Sequence, residues 1–162
     1  MRVALGILAA GLVVAASALS QPAQSTPLRV RLERTVCFGR CPEYVVTVRA
    51  DRTVVYVGRR GVLVRGVRRA RIGPTAMRKL RRAVAATDVF NLDSRYDEMS
   101  VTDLPSAKLI VQVGLRTKRI YHYLGDMTAP GKLSRLECTV DRLLRTKRWV
   151  GPGNAYACSG RL

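Results

Sequence analysis

The chain has few of the residues from which most enzyme sites are built. Its 162 residues include one histidine, His122, and 11 acidic residues against 29 lysines and arginines. The G-x-S-x-G sequence of serine hydrolases is absent. One histidine and four cysteines also lack the paired ligand spacing of zinc sites. We therefore expect neither a metal nor a cofactor.

Aromatic residues are scarce as well, at 6% of the sequence, while the formal net charge is +18. Such a charge favours an anionic partner. Few aromatics interleave the cationic stretch from Arg52 to Thr87, which argues against a surface that stacks nucleic-acid bases. Two interpretations of the charge stay open. It could serve an anionic polymer, or it could be a solvated surface produced by a GC-rich genome, since 24 of the cations are arginine.

The one long uncharged apolar run, Val3 to Ala18, follows Arg2 and ends near the small residues Ala16-Ser17-Ala18. This pattern predicts a secretory signal peptide over residues 1–20, followed by a short polar linker over 21–27. A single domain then spans 28–162. Export predicts a periplasmic or extracellular protein, with an envelope protein or anionic envelope polymer as partner and no nucleic acid. Membrane attachment would follow only if the signal stays uncleaved.

Four cysteines, an even number, favour disulfide bonds in an exported chain. Three pairings exist, and we expect Cys37–Cys41 with Cys138–Cys158, because these residues are nearest in sequence. Loop-closure entropy does not decide, since pairing Cys37 or Cys41 with Cys138 would close a longer loop and stabilise somewhat more. The second bridge would tether the C-terminal tail.

Alternation of apolar and polar residues predicts strands. The expected strands are Leu28–Val36, Tyr44–Val48, Thr53–Val57, a weaker and edge-like Val62–Val67, Lys108–Val113 and Arg116–Leu124.

Helical spacing of apolar residues predicts two helices. The segment Asn91–Ser106, between the first helix and the last hairpin, is predicted to be irregular. One helix opens at Pro74 and the other follows Pro130-Gly131 and runs to Trp149. The order predicts an α+β fold, with an antiparallel sheet of five to six strands and both helices on one face.

Candidate chemistry is limited to His122 and the acidic loop. A general base with an orienting carboxylate could be formed by His122 with Asp103 or Asp97, but a structural histidine is the simpler interpretation. If Ile120 faces the core, alternation places His122 there too. The carboxylates of the loop are expected to pair with the cationic stretch rather than with a metal ion.

The segment Cys37–Tyr44 reads Cys-Phe-Gly-x-Cys-Pro-x-Tyr and resembles the opening signature of the bacterial family catalogued as domain of unknown function 6438. The similarity continues to Trp149, over roughly residues 28–150. It implies an exported or envelope-associated bacterial domain with no assigned reaction. The chain departs from the pattern at Asp51-Arg52, where such proteins tend to have Asp-Gly, and this suggests a different turn type.

Together these features favour an exported, non-catalytic binding module. The expected surface is the disulfide corner with Phe38, Arg40 and Tyr44, joined by the loop that bears Tyr96 and Asp103. A bend fixed by a disulfide would lose little entropy on binding. The alternative is an envelope hydrolase or carbohydrate-active enzyme that uses Asp103 and His122.

Overall fold

A computed structural model describes residues 26–99 and 101–152, together with residue 158. The predicted signal peptide and most of the C-terminal tail lie outside the described residues. Seven strands form one sheet. They are β1 (Leu28–Arg34), β2 (Glu43–Val48), β3 (Thr53–Arg60), β4 (Gly66–Arg71), β5 (Arg95–Tyr96), β6 (Ser106–Val113) and β7 (Arg116–Tyr123).

The strands lie in the order β4-β3-β2-β1-β6-β7-β5. All neighbours are antiparallel except β5 and β7, which are parallel. The strand β1 lies at the centre, where Leu32 pairs with Val46 on one side and with Leu109 on the other. This confirms the α+β class and the mostly antiparallel sheet.

The helices are α1 (Pro74–Thr87), α2 (Gly131–Leu143) and the short α3 (Lys147–Val150), with a 3-10 turn at Val89–Asn91. Helices α1 and α2 contact each other and join the core on one sheet face, called here the covered face. The apolar stripes that the sequence predicts are buried, with Met77, Leu80 and Val84 on α1 and Leu133, Leu136 and Val140 on α2.

Two expectations of the sequence need correction. The sheet has seven strands rather than five to six, because Arg95–Tyr96 in the supposedly irregular loop pairs with Tyr121 and His122. The final helix does not run unbroken to Trp149. It ends at Leu143, and Arg145 adopts a left-handed conformation with φ of 57° before α3 begins.

Several strand bounds also differ. The edge strand β4 covers Gly66–Arg71 rather than Val62–Val67, because Leu63 and Val64 donate backbone hydrogen bonds to Val150 and Trp149 instead. In the turn after β2, Arg52 has φ of 72°, a conformation that favours glycine.

Both expected disulfides form. The Cα atoms are 5.5 Å apart in Cys37–Cys41 and 5.4 Å apart in Cys138–Cys158. Within the described residues, none of the helices has the length and apolar character needed to span a bilayer.

Candidate functional site

A group of charged and polar side chains is buried between the covered face and α2. We call it the buried cluster. Its centre is Arg34, which is 2% exposed at the end of β1. The guanidinium donates from Nη1 to Glu137 Oε2 at 2.9 Å and from Nη2 to Asp141 Oδ2 at 3.1 Å. The two acids lie one turn apart on α2, so the single Arg34 side chain bonds this helix to the central strand β1 at two points. The members of the cluster are Arg34, Tyr44, His122, Glu137, Asp141 and Thr146.

The carboxylate of Asp141 accepts hydrogen bonds from two further side chains, which lie outside β1. The Tyr44 hydroxyl at the start of β2 donates to Asp141 Oδ1 at 2.6 Å, and the Thr146 hydroxyl donates to the same oxygen at 3.0 Å. Because Arg34 precedes Cys37 and Tyr44 follows Cys41, Asp141 holds both ends of the disulfide loop.

The only histidine belongs to this cluster. His122 is 2% exposed, and its Nδ1 lies 2.9 Å from Glu137 Oε1. A carboxylate accepts hydrogen bonds, so the Nδ1 nitrogen is assigned the proton. The ring of Tyr96 meets the imidazole edge-on at 6.3 Å between centroids. Ile120 is buried as well, so the conditional expectation that His122 would share its side of the strand is confirmed.

Burial and charge act in opposite directions on Arg34. Burial alone would lower the pKa of its guanidinium, but the adjacent carboxylates of Asp141 and Glu137 outweigh burial and raise that pKa above its ordinary value. For Tyr44 the effects add, since burial raises the pKa of the phenol and the negative charge of Asp141 raises it further. The cluster therefore holds a permanently charged arginine and a protonated tyrosine.

The arrangement is that of a structural network. Among the described residues, every buried side-chain nitrogen and oxygen has a hydrogen-bond partner. Buried charges that are all paired can specify a unique packing. Here they set the position of α2 and of the disulfide loop relative to the sheet.

The exposed part of this loop forms a rigid corner. The Cys37–Cys41 disulfide closes it, and the Phe38 amide donates to the carbonyl of Asp103 at 3.2 Å. The Phe38 side chain is 90% exposed. The corner thus presents a large aromatic side chain on a backbone that is fixed on both sides.

A groove lies beside this corner, and we call it the corner groove. It has a volume of about 580 Å³. A Cβ atom placed on Gly61 would lie 2.8 Å from the Cys41 carbonyl oxygen, so the loop after β3 packs directly against the corner. Apolar and cationic side chains share the walls, which include Val36, Arg40, Arg60, Leu63, Val150 and Pro152.

The predicted binding residues separate into exposed and buried ones. Phe38 and Arg40 are exposed at the corner, as expected. The placement of Tyr44 on the surface is wrong, because its ring is fully buried and its hydroxyl bonds Asp141. Tyr96 is also buried, with its hydroxyl accepting the Asp93 amide at 3.0 Å.

The alternative interpretation, a catalytic pair of His122 with Asp103 or Asp97, finds no support in the contacts of the described residues. Asp103 is exposed, and its carboxylate accepts from the Thr102 hydroxyl at 3.3 Å. His122 is buried and bonds Glu137 instead. Asp97, the other candidate partner, is exposed and pairs with Arg95 at 2.6 Å.

Nor, within the part of the chain that the structure describes, does the acidic loop form the predicted ion pairs with the cationic stretch. The Arg95–Asp97 pair is internal to the loop. The described residues contain no group of three or more histidine, cysteine or acidic side chains placed to hold a metal ion.

Sequence reasoning missed Arg34, Glu137 and Asp141 as partners. A signal for them exists. Arg34 has the same strand parity as the buried Leu28, Val30 and Leu32, so alternation points it at the helix-covered side. An acidic pair spaced i, i+4 on the buried side of α2 offers its natural counter-charge.

Comparison with known families gives one result. The sequence model of the family described as Domain of unknown function (DUF6438) matches residues 28–144, and the chain belongs to this family. A search of curated proteins finds no match.

Proposed function

We propose that this DUF6438 member is an exported, non-catalytic module that binds a protein partner at the corner groove. The observation that carries the proposal is Phe38, which is 90% exposed on a loop closed by a disulfide. Aromatic anchors of this kind dominate the binding free energy of many protein interfaces. Because the loop is already fixed, little conformational entropy is lost when a partner covers it.

Export is supported by the sequence and by the cysteines. The apolar run after Arg2, with small residues at its end, has the pattern of a cleavable signal. Both cysteine pairs are at disulfide distance, and disulfides persist in oxidising compartments. A periplasmic or extracellular location is consistent with both features.

The walls of the corner groove define the partner chemistry. Leu63 is 73% exposed beside Val36, and both favour an apolar side chain. Arg40 and Arg60 stand on the same groove, and guanidinium groups bind carboxylates through paired hydrogen bonds. An extended peptide segment with an apolar side chain next to an aspartate or glutamate fits this surface.

A non-catalytic role agrees with the arrangement of the titratable groups. The single histidine is buried and hydrogen-bonded to Glu137, and the proposed acid Asp103 is exposed elsewhere on the loop. A general base must reach the proton that it abstracts. Because His122 is buried and bonded to Glu137, it is not placed to abstract a proton from a substrate with Asp103 as its partner.

The test is a peptide-display selection on the immobilised protein, followed by measurement of Kd for the selected peptides in solution. We expect the selected peptides to be rich in acidic and large apolar residues. Phe38→Ala should weaken binding by about tenfold or more, as expected for an aromatic anchor. Arg40→Ala should weaken the acidic peptides selectively.

Two matched controls use exposed residues that do not line the corner groove. Leu115 is fully exposed in the β6–β7 turn, and Leu115→Ala removes a comparable surface apolar group far from the corner groove. Arg82→Ala removes one charge from the exposed side of α1. Equal Kd values for wild type and Phe38→Ala, with unchanged melting temperatures, would contradict the proposal.

A further inference from the structure

The sheet has a second face that no described helix covers, called here the open face. Strand register identifies its side chains. On β1 the covered-face residues are Val30 and Leu32, so Arg29 and Arg31 point to the open face. On β4, Arg69 pairs with Val55 and Arg71 with Thr53, which places both arginines on the open face.

Cations dominate the open face. Glu33 and Glu43 are its acids on the central strands, and they bond Arg31, Arg59 and Lys108. Arg95 at the far edge pairs with Asp97. Within the described part of the chain, four further arginines in the strands of this face form no ion pair, and all are exposed: Arg29, Arg69, Arg71 and Arg119. Arg71 acts on Asp51 at longer range, since its charge helps to lower the pKa of that carboxyl.

These four arginines span the width of the sheet. Arg69 and Arg71 lie on the edge strand β4, Arg29 on the central β1 and Arg119 on β7. Five inter-strand steps separate β4 from β7, or about 24 Å at about 4.8 Å per step. The strand register places Arg69 and Arg119 in one row across the sheet with Arg31, and Arg29 and Arg71 lie two residues further along their strands. Guanidinium groups outside the ion pairs are thus distributed in two adjacent rows across the sheet.

We propose that the open face binds a linear acidic polysaccharide whose chain runs across the strands. Repeated carboxylates or sulfates on one polymer can engage successive guanidinium groups, which bind such anions through paired hydrogen bonds. Charge complementarity is the basis of this assignment, because the acids of the face are already occupied by other cations.

Other anionic partners fit less well. A membrane surface would be met by several protruding apolar side chains, whereas the central Val45 and Thr47 of this face are buried between their neighbours. Among the described strand residues of this face, Val67 at the edge is the one large apolar side chain that is exposed. Single-stranded nucleic acid would need aromatic platforms. The Tyr121 ring on this face is already stacked by the Arg95 guanidinium at 4.9 Å.

The surface is separate from the corner groove. None of the four unpaired arginines lines that groove. Failure of peptide binding at Phe38 therefore leaves this proposal standing, and loss of polysaccharide binding leaves the proposed function standing.

The experiment measures binding of fluorescent polygalacturonate oligomers to the purified protein at several salt concentrations. Neutral dextran and vesicles containing anionic phospholipid serve as further probes. We expect polygalacturonate binding that weakens steeply with salt, and no binding of dextran. Each exposed ion pair contributes only modestly to binding, so all four arginines, Arg29, Arg69, Arg71 and Arg119, are replaced together by serine. We expect this variant to bind polygalacturonate about tenfold or more weakly than wild type.

A matched variant removes the same charge from the helical side. It replaces Arg78, Lys79, Arg82 and Arg135 by serine, all of which are exposed on α1 or α2. We expect its affinity to fall by no more than about twofold. An equal loss in both variants would show a general charge effect and overturn the proposal. Vesicle binding without polygalacturonate binding, or no binding of either, would overturn it too.

Discussion

Each face of the sheet carries an acidic side chain that contacts several partners, and the two sites differ in their access to water. On the covered face, Asp141 and Glu137 hold Arg34, and all three side chains are 1–4% exposed. On the open face, Glu33 contacts Arg31, Arg59 and Lys108, whose side chains are 36–52% exposed. The geometry of the pairs is similar, but the surroundings are not.

This difference assigns different roles to the same residue types. A buried charge that loses its partner has no water to replace it, so the covered-face pairs are required for the fold. An exposed charge that loses its partner is solvated at little cost. The four open-face arginines outside these ion pairs can therefore contact an external anion, whereas Arg34 is required to hold α2.

The largest expected effect comes from breaking the buried cluster. Asp141→Ala removes one partner of Arg34 and the acceptor of the Tyr44 and Thr146 hydroxyls. We expect a loss of about 3–5 kcal/mol in the free energy of unfolding, or no cooperative transition at all. Denaturant titration measures it.

Its matched control is Asp97→Ala on the surface. The Asp97–Arg95 pair is as close as any ion pair among the described residues, but its side chains are 43% and 67% exposed. The control should change the free energy of unfolding by less than about 1 kcal/mol. Similar losses in both variants would remove the distinction between the two faces.

The next effect uses the tyrosine of the buried cluster as a probe. Burial and Asp141 raise the pKa of Tyr44 well above 10, so in alkali the unfolded chain ionises first. The contribution of un-ionised Tyr44 to the free energy of unfolding is therefore fully present below pH 10. It is lost as the pH rises toward the folded pKa, by up to about 1.4 kcal/mol per pH unit. Tyr44→Phe should cost about 1.5–3 kcal/mol at neutral pH by removing a hydrogen bond to a charged group.

The pH profile separates this role from simple packing. Between pH 10 and 11 the unfolding free energy of Tyr44→Phe should fall less steeply than that of wild type. Tyr123→Phe is unsuitable as a control, because Tyr123 is half-buried and its hydroxyl donates to the Val101 carbonyl. Leu115→Ala should retain the wild-type slope. Parallel profiles for wild type and Tyr44→Phe would contradict the burial of an un-ionised phenol beside Asp141.

A smaller effect is expected at the open-face acid. Burial alone would raise the pKa of Glu33, but the hydrogen bond from Arg31 and the charges of Lys108, Arg31 and Arg59 outweigh it and lower that pKa. The folded pKa lies below the unfolded one, so the stabilisation is present above about pH 4.5 and is lost as pH falls through the folded pKa.

Glu33→Gln should therefore cost about 0.5–1 kcal/mol at neutral pH. The difference from wild type should shrink in acid and in high salt, because the partners are exposed. Thermal unfolding at pH 7 and below pH 4 measures it. A loss of unfolding free energy as large as that of Asp141→Ala would show that the ion pairs of Glu33 act like buried ones.

Much of this arrangement follows from local patterns in the sequence. Period-two alternation located the central strands, and helical spacing located α1 and α2. The short β5 could not be found in this way, because two residues have no periodicity and depend on pairing with β7, which is distant in sequence. The break between α2 and α3 was also missed, because Arg145 adopts a left-handed conformation there that an arginine does not predict.

The candidate site was predictable only in part. Proximity in sequence was enough to pair the cysteines, and the position of Phe38 on the disulfide corner was enough to predict its exposure. Tyr44 was assigned to the surface although it shares strand parity with the buried Val46 and Val48. Its partner Asp141 lies 97 residues away, and only the packing of α2 on β1 and β2 brings the two together.

The smallest expected effect on stability is that of replacing an open-face arginine that forms no ion pair. Arg69→Ser removes an exposed guanidinium that has no acidic partner among the described residues. The free energy of unfolding should change by less than about 0.5 kcal/mol. The sign can be favourable, because one positive charge is removed from a chain with a net charge of +18.

This near-zero effect on stability is needed for the polysaccharide test to be informative. If Arg69→Ser leaves the melting temperature unchanged while polygalacturonate affinity falls, the arginine serves binding and not folding. If it destabilises the protein as strongly as Glu33→Gln, Arg69 has an intramolecular partner in solution. The open face would then be held together by its charges in the same way as the buried cluster.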